Sequence, residues 1–256
     1  MTGGKLATIV TGEATDRPPL LIAHGLFGSA RNWGVLIRRL ADDRQVIAVD
    51  MRNHGDSFRS DDHSYPALAG DLAQAARPYG QVDLLGHSMG GKAAMVLALG
   101  EPALVRRLIV ADIAPVAYSH SRADLVAAMQ ALDLNGLTRR GEADARLKET
   151  IPDAGVRAFL LQSLDFSGDA PRWKLNLPSL SANMDNLTGF PPVEGRFGGA
   201  VLFLSGAASD YVKPGHRAAV GRLFPKAHFQ TVPGAGHWLH AEKPREVEAA
   251  VRVFLA

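Results

Sequence analysis

Five short, largely apolar runs with helical patterns between them constrain this chain's fold more than any other feature. They are Leu20–Ala23, Gln45–Asp50, Val82–Leu85, Leu108–Asp112 and Ala200–Leu204. A strand buried on both faces reads as such a run, without polar alternation. Between the runs, Trp33–Leu40, Pro66–Ala76 and Gly90–Leu99 read as crossover helices. The alternation implies an α/β fold, a mostly parallel open sheet flanked by helices. After Ala114-Pro115 it stops. Asp124–Leu134 places Leu125, Met129 and Leu132 on one helical face, and Val156, Phe159, Leu160 and Leu164 repeat the pattern behind a capping Asp153. Residues 115–199 are therefore expected to form a helical cap inserted between two sheet strands of a single domain, 1–256. The chain then closes with a helix over Glu242–Leu255 that turns Val247, Val251 and Phe254 inward.

Composition removes several functional classes. The chain has 256 residues, enough to bury a sizeable core. Its 28 Lys and Arg nearly balance 26 Asp and Glu. Its densest basic runs are isolated pairs such as Arg38-Arg39, Arg106-Arg107 and Arg139-Arg140, so no nucleic-acid partner is expected. The absence of cysteine excludes a thiol nucleophile, disulfides and thiolate metal sites. No apolar run approaches the roughly 18 residues of a membrane span, and no secretory h-region forms near the start. A cytoplasmic protein without membrane attachment is expected; oligomeric state is not legible.

The chemistry centres on Gly86-His87-Ser88-Met89-Gly90, followed by Gly91. It stands directly after the run Val82–Leu85 and opens the helix that follows, which is the context of a nucleophile elbow. There the serine occupies a strained strand-to-helix turn, and its flanking residues must be nearly free of side chains. A nucleophilic serine needs oxyanion donors and a base. The amide after it, Met89, is one candidate donor. The loop His24-Gly25-Leu26-Phe27-Gly28-Ser29 offers the Leu26 amide as the other, with His24 shaping the loop.

The base is expected late in the chain. His237, in Pro233-Gly234-Ala235-Gly236-His237-Trp238, lies on a glycine-flanked loop between the run Phe229–Val232 and the last helix, with His240 as its nearby rival. His54, His63, His120, His216 and His228 read as surface or turn residues. Lys92 reads as a solvated residue or a loop partner, and Asp50 and Asp56 as turn carboxylates. Trp33, Trp173 and Trp238 are expected to pack between cap and core, Trp238 beside an acyl pocket. No His-Glu-x-x-His or comparable ligand spacing occurs, so a metal is not expected.

Taken together these motifs resemble the α/β-hydrolase superfamily along the whole chain. More narrowly, His24-Gly25-Leu26-Phe27-Gly28-Ser29, Arg52-Asn53-His54-Gly55-Asp56-Ser57, Gly86 to Lys92 and Asp112-Ile113-Ala114-Pro115-Val116 resemble the YbfF-type small esterase group. The resemblance implies cofactor-free hydrolysis of small acyl esters or thioesters of short to medium chain. It leaves two candidates for the acid that orients His237. Counting about 28 residues back from His237, the usual interval, lands on Ser209, one residue short of Asp210. In the YbfF-type group the acid is expected at the earlier strand end, here Asp112, with a supporting serine at the later position, here Ser209. The resemblance favours Asp112 over Asp210. A perhydrolase or a carbon–carbon bond hydrolase would use the same triad, and a non-catalytic ligand receptor on the same scaffold is the alternative from another class.

Overall fold

The computed structural model describes residues 4–256. In chain order its strands are β1 (Thr8–Thr11), β2 (Leu20–Ala23), β3 (Val46–Val49), β4 (Val82–His87), β5 (Val105–Ala111), β6 (Leu164–Asp165), β7 (Arg172–Trp173), β8 (Ala200–Gly206) and β9 (Ala227–Val232). The helices are α1 (Gly34–Leu40), α2 (Tyr65–Ala76), α3 (Met89–Gly100), α4 (Ala123–Ala131), α5 (Arg140–Leu147), α6 (Ala154–Leu160), α7 (Leu177–Ala182), α8 (Met184–Thr188), α9 (Arg217–Leu223), α10 (Leu239–Glu242) and α11 (Pro244–Leu255).

Seven strands form one sheet in the order β1-β3-β2-β4-β5-β8-β9. Only β1 runs antiparallel, pairing Thr8 with Val49. The apolar runs are unbroken because side chains of both parities are buried. Leu21, Ala23, Ile47, Val49, Leu108 and Val110 face the layer of α2 and α3. Leu20, Ile22, Val46, Ala48, Ile109 and Ala111 face α1 and α11. Period-2 alternation therefore selects the helix layer, and both layers exclude water. The α/β class and the parallel open sheet expected from the sequence are what the chain adopts.

Several local expectations are corrected. Trp33 lies in a 3₁₀ turn over Ala30–Trp33 ahead of α1. It packs on the α1 and α11 side, stacked 4.2 Å from His240, instead of between cap and core. Trp173 packs against the α4 end, its Nε1 donating to Met129 O. α4 stops at Ala131 and buries Val126 and Met129, whereas Leu125 turns to a cavity. The closing segment breaks at Lys243 into α10 and α11, and Leu255 is more deeply buried than Phe254. Asp153 does cap α6, accepting from Val156 N at 2.8 Å.

Between β5 and β8 lie five helices and a two-stranded hairpin. Polar contacts join them to the sheet domain at several places, among them Asn53 with Asn176 and Ser179, and one group of contacts meets a short helix end. The carbonyl of Leu187 accepts from Tyr65 Oη on α2 (2.8 Å), and those of Thr188 and Gly189 accept from Lys92 Nζ on α3. A cation at a helix C-terminus is favourably placed. Lys92 is not a solvated residue: it is 1% exposed and lies over the Tyr118 ring, and burial lowers its pKa to about 7.

Candidate active site

The site forms at the C-terminal ends of the parallel strands, where an open α/β sheet presents its loops. Ser88 follows β4, the central strand, with backbone angles φ 51 and ψ −117. A non-glycine residue in that region is strained, and such strain persists only where the surroundings enforce it. Here two glycines make it fit. A Cβ on Gly86 would lie 2.3 Å from Gly90 O, and one on Gly90 would lie 2.5 Å from Ala23 O. The other non-glycine residues with positive φ among those described are Phe27, Asn53 and Asp112. Each follows a strand end on the same side of the sheet.

The strand-end loops bring Ser88, His237 and Asp112 into one hydrogen-bonded line. His237 Nε2 lies 3.1 Å from Ser88 Oγ, and His237 Nδ1 lies 2.7 Å from Asp112 Oδ2. Asp112 is fully buried, and three donors meet its carboxylate. Oδ2 accepts from His237 and from Ser209 Oγ, and Oδ1 accepts from Gly206 N at 3.1 Å. Asp210 is left outside this line: its side chain is 68% exposed and pairs with Lys213 at 3.4 Å. The offset has a simple cause. Ser209 points at Asp112 from the loop after β8, so the next residue turns outward.

Two contacts hold the imidazole in place. His87 Nε2 donates to the His237 carbonyl at 2.8 Å, tying the Ser88 turn to the histidine loop. The Tyr211 ring stacks on His237 at 4.1 Å, and its hydroxyl accepts from Arg122 at 3.1 Å. Sequence reasoning passed over Tyr211; its place two residues after Ser209 was the available signal. His240 takes no part in the line, being buried against Trp33.

Leu26 and Met89 line the same cavity as Ser88, and neither amide is engaged by another group among the described residues. The turn that carries Leu26 is closed by Gly28 N donating to Gly25 O at 3.0 Å. His24 shapes this loop from below: its Nδ1 donates to Gly25 O and its Nε2 accepts from Met51 N. The cavity has an empty volume of about 1010 Å³ with its open mouth included. Leu125, Val156, Phe159, Leu160, Met184 and Leu187 supply its apolar wall, and Trp238 packs on Phe159 at 5.2 Å. Met129 and Phe190 lie away from it.

His54 and His63 are corrections to the sequence reading, since both are fully buried. His63 contacts the Met89 thioether through Nε2 and Asn53 through Nδ1. Burial lowers the pKa of His63 to about 4 and that of His240 to about 3, and pushes those of His54 and His87 well down. The folded state thus binds fewer protons than the unfolded chain below pH 6.5. The stability these neutral rings contribute is fully present above pH 6.5 and is lost as the pH falls towards 4. At roughly 1.4 kcal/mol per pH unit, His63 alone accounts for about 3 kcal/mol over that window. Urea midpoints measured from pH 7 to 4 should decline steadily; a flat series would contradict the neutral burial of these rings.

Among the described residues no helix is long and apolar enough to cross a membrane, and no cluster of His, Asp or Glu could hold a metal ion. Comparisons with known proteins agree with the geometry. Residues 20–250 match the model of the alpha/beta hydrolase family. The sn-1-specific diacylglycerol lipase ABHD11 of Mus musculus is 42% identical, over 97% of this chain and 84% of its own length. Esterase YbfF of Escherichia coli K12 is 38% identical, over 94% of each chain. Among solved structures, a marine microorganism esterase superposes with a TM-score of 0.94 at 36% identity, covering 98% of this chain and all of its own. With its parallel sheet, its serine turn after the central strand and these relatives, the chain belongs to the alpha/beta hydrolase family.

Proposed function

We propose that this protein is a serine hydrolase that cleaves carboxylic esters or acyl thioesters of short to medium acyl chain through an acyl-enzyme. The observation that carries the reading is the line from Ser88 through His237 to buried Asp112, set at the edge of a largely apolar cavity. Ser88 Oγ attacks the acyl carbonyl while His237 Nε2 takes its proton. The amides of Leu26 and Met89 donate to the oxygen as it becomes negative, at the N-terminus of α3 where the helix dipole also favours that charge. The tetrahedral adduct collapses as His237 protonates the departing alkoxide or thiolate. Water then repeats the sequence and frees the acid and Ser88. Asp112 accepts from His237 Nδ1, fixes the tautomer and stabilises the imidazolium that forms in both halves. The esterase and lipase names of the relatives support the same chemistry.

The test is a set of initial rates on p-nitrophenyl esters from acetyl to palmitoyl and on matched acyl-CoA thioesters, with a Ser88 variant as blank. The expected optimum lies among the short and medium chains, with turnover lost in the blank. Absence of turnover on every ester and thioester would reject the hydrolase reading and favour perhydrolysis, carbon–carbon cleavage or ligand reception.

A further inference from the structure

His54 reaches the turn that carries Leu26 from a different strand-end loop. Its Nδ1 donates to Arg52 O at 2.9 Å. That bond puts the proton on Nδ1 and leaves Nε2 with a lone pair. The lone pair accepts from Phe27 N at 3.1 Å. The ring is fully buried, and burial together with the neighbouring His24 and His63 rings keeps it neutral.

Phe27 needs such a partner. In the turn Gly25-Leu26-Phe27-Gly28, closed by the bond from Gly28 N to Gly25 O, Phe27 is the third residue and has φ 65. That is the type II pattern, which normally calls for glycine or asparagine at this place. A bulky residue there is under strain, and rotation of the Leu26–Phe27 peptide to a type I turn would relieve it. The same rotation would turn the Phe27 N–H away from His54 and swing the Leu26 carbonyl oxygen towards the imidazole lone pair. Two acceptors would then face each other inside the protein, so the neutral ring selects the strained turn.

We infer that His54 is a positioning residue for the oxyanion hole: by accepting from the Phe27 amide it anchors the residue next to Leu26 and so fixes where the whole turn, with the Leu26 N–H of its first peptide, sits beside Ser88. The inference rests on the serine hydrolase reading, with Leu26 as one of its two donors. His54 itself is anchored: the Arg52 side chain pairs with Asp71 on α2, and the backbone of His54 bridges to Leu175. The alternative is a ring that only fills the core.

Two variants separate these roles. His54→Phe keeps a ring and removes the acceptor; His54→Gln keeps an acceptor that can reach the Phe27 amide. An oxyanion donor acts on the transition state and leaves the ground state little changed, and losing one outright costs about 10²–10³ in kcat. Misplacing one is expected to cost less. For His54→Phe, kcat on the preferred ester should fall about 10- to 100-fold with KM within about threefold. Affinity for a trifluoromethyl ketone should fall by the same factor as kcat/KM. His54→Gln should recover most of the loss. In the wild-type protein, a scalar coupling across the hydrogen bond should link the nitrogen of Phe27 to Nε2 of His54. That measurement decides the contact even if His54→Phe fails to fold, and its absence would overturn the inference. A folded His54→Phe variant with wild-type kcat would overturn it too, as would equal losses in the Phe and Gln variants. Wild-type protein inert towards every ester would instead count against the hydrolase reading, which the coupling does not test.

Discussion

Asp112→Asn is expected to lower kcat about 10⁴-fold, while Asp210→Asn stays within about twofold. The two carboxylates differ in what they touch. Asp112 accepts from His237 Nδ1 inside the protein, and Asp210 lies on the surface beside Lys213. An asparagine at position 112 keeps the shape but can present its amide N–H to His237. The imidazole then accepts at Nδ1 and carries its proton on Nε2, where Ser88 needs a base. The same substitution in a chymotrypsin-type triad shows this order of loss. The amide also lacks the charge that would stabilise an imidazolium. The comparison is a pair of kcat/KM measurements on the preferred ester, with circular dichroism to confirm that both variants fold. Equal effects, or a larger loss for Asp210→Asn, would move the acid to the loop after β8.

The second large effect belongs to Ser88→Ala, for which kcat should drop by about 10⁶. Alanine fits the turn as serine does, since the glycines at 86 and 90 make the room and the hydroxyl makes no contact needed for the fold. The residual rate, if measurable, reports the amide donors and the bound geometry alone. A variant that retains even one hundredth of wild-type turnover would mean that another group attacks the substrate. Rapid mixing with a p-nitrophenyl ester gives a further check. Wild-type protein should release a burst of p-nitrophenol equal to its site concentration wherever deacylation limits turnover, and Ser88→Ala should release none.

The parts legible in the sequence were those whose signal is local. An apolar run such as Val46–Val49 declares a strand covered on both faces, and glycines around Ser88 declare a turn with no room for side chains. β1 escaped notice because Thr8–Thr11 is an exposed four-residue edge, specified by pairing with β3 and carrying no pattern of its own. The hairpin of β6 and β7 has two residues per strand, too few for any period to show. His54 and His63 were misread for a related reason. A histidine's burial depends on which distant groups meet its two nitrogens. For His54 those include the amide of Phe27, supplied by another loop. Whether position 209 or 210 turns inward is a matter of one residue in a loop, a scale that counting along the chain does not resolve; in the structure Ser209 meets Asp112 and Asp210 faces outward.

Asp112 stands at the end of β5, ahead of the long excursion that precedes β8. Ser88 and Asp112 are thus encoded side by side, after two strands adjacent in both chain and sheet. Drift, insertion or wholesale replacement of the excursion need not separate them, provided β8 still delivers Gly206 and Ser209 to the carboxylate. This arrangement leaves much of the cavity wall on a segment that contributes no member of the Ser88, His237 and Asp112 line. It also marks the joints after β5 and before β8 as the natural crossover points for building chimeras with altered acyl selectivity.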